Sequence, residues 1–164
     1  MTANAPGGRL SFWHPAHLIA TFGGAGLIKP APGTWGSLAA LPFAWVLLAA
    51  GGPAALVLAA ILLFAAGCWA TAVYIDAVGG DDPQTVVVDE VVGQWLTLAV
   101  VLPDIKLFVA GFVLFRLFDI VKPWPIRTIE RRTPGAFGVM LDDVLAAVYA
   151  AVFLFIASRY LGFL

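Results

Sequence analysis

All ten acidic residues of the chain fall between Asp76 and Asp143. Two adjacent pairs stand out, Asp89-Glu90 and Asp142-Asp143, and Asp119 has Arg116 three residues before it and Lys122 three after. These groups border or enter apolar stretches, where an ionised side chain costs about 2.5–3.5 kcal/mol at mid-bilayer and needs a compensating partner. Taken singly, each reads as well as a hydrated interfacial charge, or as an Arg116–Asp119 pair at helical spacing. Gathered at one level, five carboxylates repel one another unless a cation joins them. Hard oxygen ligands of this sort suit Mg²⁺, which commonly shares its shell with water and substrate phosphate. The basic residues alongside would hold that phosphate.

Two further segments fit such chemistry. In Lys122-Pro-Trp-Pro-Ile-Arg127, Pro123 and Pro125 stop a continuing helix and stiffen the chain, so that Lys122 and Arg127 project from a turn, with Arg131 one helical turn beyond. The alternative is a plain basic loop. Pro32-Gly-Thr-Trp-Gly-Ser37 is a Gly-rich turn opening a helix, suited to anion capture, with Thr34 and Ser37 as candidate substrate contacts. Thr34 or Ser37 as a simple N-cap is an equal reading. The only histidines, His14 and His17, lie far from the acids and read as interfacial polar residues, which argues against a phosphohistidine or a histidine base. No nucleophile elbow, P-loop or dinucleotide fingerprint occurs.

The elements that must position these residues follow from composition. Of 164 residues, 62% are hydrophobic and 12% charged, against a usual charged share of about 25%. Too little polar surface remains to cover a soluble globule of this size, so the chain reads as one integral membrane domain, residues 1–164. A net charge of −1 gives no basic excess for nucleic acid. Cys68 lies in apolar surroundings and reads as an inert buried thiol. Residues 1–8 lack a basic n-region, so no cleavable signal peptide is expected.

No charge occurs between Lys29 and Asp76, and Gly51-Gly52-Pro53 divides that stretch into Thr34–Ala50 and Ala54–Ile75. Further apolar segments are Val86–Leu102, Ile105–Ile120 and Val139–Leu161. The expected fold is all-α: about five hydrophobic helices, plus an interfacial or re-entrant element over residues 9–29. Loops alternate between short and long. The long-loop side carries Arg9, Lys29, Lys122, Arg127, Arg131 and Arg132, the short-loop side Lys106 and Arg159. Six against two puts the long loops, and the acids, on the cytoplasmic side. Trp13, Trp35, Trp124, Tyr74 and Tyr160 fall near expected helix ends, as an aromatic belt would.

Four blocks carry a resemblance: Pro32-Gly-Thr-Trp-Gly-Ser-Leu-Ala-Ala-Leu-Pro42, Val87-Val-Asp-Glu-Val-Val-Gly93, Phe115-Arg-Leu-Phe-Asp-Ile-Val-Lys-Pro-Trp-Pro-Ile-Arg127 and Gly138-Val-Met-Leu-Asp-Asp143. In this order they resemble the phosphatidylglycerophosphatase A family. The resemblance implies a Mg²⁺-dependent lipid phosphatase of the bacterial inner membrane, multi-pass, with its site facing the cytoplasm. Its substrate would be phosphatidylglycerophosphate, hydrolysed to phosphatidylglycerol and inorganic phosphate. Carried over by motif, Asp89, Glu90, Asp119 and Asp143 are the catalytic acids. Asp82 and Asp142 join them as candidate metal ligands, and Arg116, Lys122, Arg127 and Arg131 contact substrate. Arg132 matches no family position.

Direct attack by a cation-oriented water is expected over a covalent phosphate on Asp89 or Asp119. A homo-oligomer in the membrane is compatible with the composition. The competing class is a small transporter or cation channel with an acidic site, although no inverted repeat appears. A CDP-alcohol phosphotransferase would resemble D-x-x-D-G-x-x-A-R, which is absent.

Overall fold

The computed structural model describes residues 10–80 and 83–160, and among them there is helix and turn but no strand. The helices are α1 (Pro15–Ala20), α2 (Pro32–Val78), α3 (Val88–Leu98), α4 (Ile105–Val121), α5 (Ile126–Arg132) and α6 (Ala136–Tyr160), with a 3₁₀ turn at Ala25–Leu27. Within α2, Gly52 takes φ 67° and ψ −166°, so the element is two arms, 32–51 and 53–78, hinged where the sequence breaks. Pro53 starts the second arm, where its missing N–H costs nothing. Pro42 lies inside the first arm without ending it.

Two elements, α2 and α6, are long and apolar enough to cross a membrane. Their most apolar stretches are only 17% and 39% buried, so most of this surface faces outward. Val46, Leu62, Val109 and Ile120 are all more than half exposed. Apolar area on this scale suits lipid contact.

The expectation of about five hydrophobic helices is met only in part, and α3 is where it departs. The apolar run Val86–Leu102 yields a helix of 11 residues, about 16 Å long, which is half a bilayer. It is buried on nearly every side by α2, α4 and α6. Its apolar character serves the protein core instead of lipid. The α4 helix has 17 residues. It starts where Asp104 Oδ1 accepts from the N–H groups of Lys106 and Leu107 at 2.9 and 3.0 Å, and it ends at Lys122 in the left-handed region.

The N-terminal element is α1 and the 3₁₀ turn. Ala16 and Ala20 are fully buried, and the Ala20 carbonyl accepts from Val87 N–H at 2.8 Å, docking α1 against the start of α3. His14 caps α1 through Nδ1, and the His17 ring lies between Phe12 and Tyr74. Tyr74 is therefore no belt residue. It is 4% exposed, and its hydroxyl shares a 2.9 Å hydrogen bond with Thr85. Trp13, Trp124 and Tyr160 do stand out from the surface.

Small residues let the helices close up: Ala40, Ala44, Ala60, Ala146 and Ala150 have almost no exposed area. Below the charged end, Leu98, Val101, Leu107, Phe108 and Leu154 form a buried apolar layer. Gly111 of α4 admits Leu98 and Leu154 so closely that a β-carbon there would lie 2.8 and 3.1 Å from their methyls.

Candidate active site

Four helix ends meet at one end of the bundle: the starts of α2, α3 and α6 and the end of α4. Asp89 and Glu90 occupy the first turn of α3, and Asp143 the second turn of α6. Gly93 makes their approach feasible, since a β-carbon there would strike the Phe115 ring and lie 3.0 Å from the Asp143 carbonyl oxygen. Carboxylate oxygens of Asp89, Glu90 and Asp143 lie within 4.8 Å of one another. Asp89 and Asp143 are 8% and 3% exposed. Asp89 Oδ1, Glu90 Oε2 and Asp143 Oδ2 are buried without a hydrogen-bond partner.

Like charges buried this close demand compensation. Three convergent hard oxygens with free lone pairs fit a divalent cation such as Mg²⁺.

Arg116 bounds the trio. Its Nη1 lies 2.7 Å from Asp119 Oδ2 and 3.6 Å from Glu90 Oε1, and it donates to Ser37 Oγ at 3.5 Å. Ser37 donates in turn to the Gly33 carbonyl at 2.9 Å. Neither Ser37 nor Thr34 caps α2. The N-cap is Ala31, in the left-handed region with no side-chain bond, because Pro32 already supplies the first helical residue. Thr34 stands half-buried in the first turn.

A second ionic group lies alongside. Lys122 Nζ donates to Asp142 Oδ2, and to Glu130 Oε1 at 2.8 Å. Burial opposes the charge on Lys122, but these hydrogen bonds and the two acids outweigh it and raise the ammonium above the ordinary lysine range. Asp142 Oδ1 accepts from Asp143 N–H at 3.0 Å, which couples the two groups.

The structure thus sorts the expected residues. Asp89, Glu90 and Asp143 form the trio, Asp119 holds Arg116, and Asp142 holds Lys122. Arg127 donates to the Val121 carbonyl at 3.3 Å and, with Arg131, lines a cleft beside Lys122. Asp82 lies outside the described residues. Three residues were missed. Glu130 carried no local signal, because its partner is eight residues away. Arg132, which matches no family motif, lines the same cleft as Arg127 and Arg131. Gln94 is fully buried with both amide atoms unpaired, and it sits one helical turn after Glu90, a spacing that was legible.

An all-helical shell with an outward apolar surface, closed at one end by a buried acidic trio beside an arginine, defines a membrane-associated protein with a cation-compatible site. Residues 18–158 match the family model of Phosphatidylglycerophosphatase A, and the chain belongs to that family. It is 41% identical to Phosphatidylglycerophosphatase A of Haemophilus influenzae over 157 residues, covering 94% of this chain and 96% of the relative. It is 38% identical to the Escherichia coli protein of the same name over 153 residues, covering 93% and 88%. A Bacteroides thetaiotaomicron protein named, provisionally, phosphatidylinositol-3-phosphatase is 41% identical over 153 residues, covering 88% and 94%. No solved structure matches the chain. The transporter alternative finds no support in these relatives.

Proposed function

We propose that the chain hydrolyses the terminal phosphate monoester of phosphatidylglycerophosphate, with Mg²⁺ held by Asp89, Glu90 and Asp143. The observation that carries this is the convergence of three buried, unpaired carboxylates beside Arg116, in a chain of the Phosphatidylglycerophosphatase A family. When bound, Mg²⁺ supplies positive charge at a phosphoryl oxygen and acidifies water.

The side chains do the rest. Arg116 neutralises a further phosphoryl oxygen, and its ion pair with Asp119 fixes the direction of the guanidinium. That pair also dulls Asp119 as a nucleophile, which favours direct attack by water over a covalent phosphate there. Burial of the trio keeps bulk water away from the reacting group. Lys122, occupied by Asp142 and Glu130, ties α4, α5 and α6 together at the rim.

The chain is read as multi-pass in the bacterial inner membrane, with the charged end toward the cytoplasm. Lys29, Lys122, Arg127, Arg131 and Arg132 belong to that end, against Lys106 and Arg159 at the other. All the groups named lie in one chain, so a homo-oligomer is not needed to complete the site.

The test is phosphate release from phosphatidylglycerophosphate by the purified full chain, before chelation, after EDTA, and after Mg²⁺ is restored. Loss and recovery are expected. Release that ignores chelation would remove the cation from the reading, and no release at all would remove the reaction.

A further inference from the structure

Lys122, Arg127, Arg131 and Arg132 open onto one concave surface at the end of α4, a cavity of about 610 Å³ with Trp124 in its lining. No acid lines it. The acid on the same short helix, Glu130, faces a separate cleft with Asp142. α5 thus pairs its carboxylate with Lys122 at the edge of the hollow, while its arginines line the hollow itself. A cytoplasmic bias accounts for basic residues in this loop, but not for three arginines, Arg127, Arg131 and Arg132, gathered in one hollow beside a lysine whose charge Asp142 and Glu130 already meet. Like charges so placed call for an anion.

The surroundings say what kind of anion. Leu117, Ile120 and Val121 are each more than half exposed along α4, and Val121 reaches the lip of the hollow. Trp124 is 80% exposed, as an indole at the boundary between lipid and water would be. An acyl-bearing ligand can therefore lie on α4 with its headgroup in the hollow.

The reacting phosphate belongs elsewhere, beside Arg116 and the trio. The two places are joined by one ion pair: Lys122 lines the hollow and binds Asp142, whose neighbour Asp143 belongs to the trio.

We propose that the hollow binds the phosphodiester of the lipid, the phosphate that is not hydrolysed, while the terminal monoester reaches the three carboxylates. This rests on the substrate reading above and adds Arg132 and Trp124 to the residues that meet the lipid. The substrate has two phosphates separated by one glycerol, and the protein has two places for them, the arginine-lined hollow and Arg116 beside the trio, joined through the Lys122–Asp142 pair. Selection of a lipid with both phosphates is then a property of the hollow.

Calorimetry on the purified full chain in neutral detergent tests this with two soluble probes. Dihexanoyl phosphatidylglycerol carries a diester and no terminal phosphate; inorganic phosphate with Mg²⁺ stands in for the terminal phosphate and has no diester. The double variant Arg131→Gln/Arg132→Gln is expected to weaken the first by about tenfold or more and leave the second within about twofold. Arg159→Gln, the same kind of charge loss near the far end of α6, should alter neither. Equal weakening of both probes, or an equal effect of Arg159→Gln, would reduce the hollow to general attraction for anions and overturn the proposal. So would failure of the wild-type chain to bind the short lipid. If the double variant loses its helical spectrum, Arg132→Gln alone, on an exposed side chain, carries the same comparison. Turnover of phosphatidylglycerophosphate is followed in parallel. Its absence would remove the proposed reaction, while arginine-dependent binding of the diester would still uphold the site.

Discussion

Gly33 lies so close to Glu90 that a β-carbon on residue 33 would overlap the Glu90 carboxylate and come within 3.1 Å of Arg116 Nη1. The first turn of α2 is thus a wall of the site. Gly33→Ala is expected to displace Glu90 and lower kcat about 10²-fold, the effect of a misplacement near 1 Å. Gly36→Ala meets Val87 instead, at 2.6 Å. It should cost comparable thermal stability, about 1–3 kcal/mol, with activity kept within about threefold. Activity beside Tm for the pair decides: parallel losses would make Gly33 merely a packing position.

Asp89→Asn and Asp143→Asn keep side-chain volume and remove one charge each. Activity should fall about 10²-fold or more, some 3 kcal/mol of transition-state stabilisation. Without Mg²⁺ their Tm should equal or exceed that of the wild type, since each relieves repulsion within the trio. Asp104→Asn is the control, at the other end of α4, where Asn also serves as an N-cap. If the site variants match this control in activity, the trio is structural.

Cation binding should be visible without turnover. At Mg²⁺ near 100 times Kd, the wild-type chain should gain about 2.7 kcal/mol of stability, read as a rise in Tm. Asp143→Asn should lose most of that rise. Asp119→Asn should keep it while losing activity, because Asp119 is bound to Arg116 and stands outside the trio. A rise lost equally in both would make Asp119 a ligand.

Lys122→Met leaves Asp142 and Glu130 facing each other without their shared cation. Removing one partner of a buried pair costs about 3–5 kcal/mol. The Lys122 side chain retains 22% exposure, so a loss nearer to about 2 kcal/mol is expected. Glu130→Gln, at a 39% exposed partner, should cost much less. Thermal melts of both variants in one detergent check the order.

The acids were legible in the sequence because chemistry concentrates them: two adjacent pairs and one acid flanked by cations leave few arrangements. The break at residues 51–53 was equally plain, being written in Gly and Pro. The role of α3 was not. Val86–Leu102 is as apolar as a lipid-facing run, and hydropathy does not separate a helix wrapped by protein from one wrapped by acyl chains. Tyr74 escaped for a similar reason, since its burial depends on Thr85 and His17, both remote in sequence. The division of five carboxylates into a trio and two arginine- or lysine-bound singles is a three-dimensional fact. Asp142 and Asp143 are neighbours that face different partners.

Orientation is open to labelling. In a Cys68→Ala background, Cys at Val78 or Pro134, exposed residues at the charged end, should stay unlabelled by impermeant thiol reagents in intact cells. Cys at Leu102, 58% exposed in the turn between α3 and α4, should label readily. The opposite pattern would turn the protein over.

The layer of Leu98, Gly111 and Leu154, with Phe108 and Val101 around it, has an electrical consequence. Under the proposed reading, ions drawn to the carboxylates from one aqueous side would meet buried apolar side chains directly beneath them, with Leu98 and Leu154 closed against Gly111. In that arrangement the acids would draw cations from one compartment while the voltage across the membrane stays intact. A short helix set on an apolar floor is thus a way to hold strong charge at a bilayer without creating a leak.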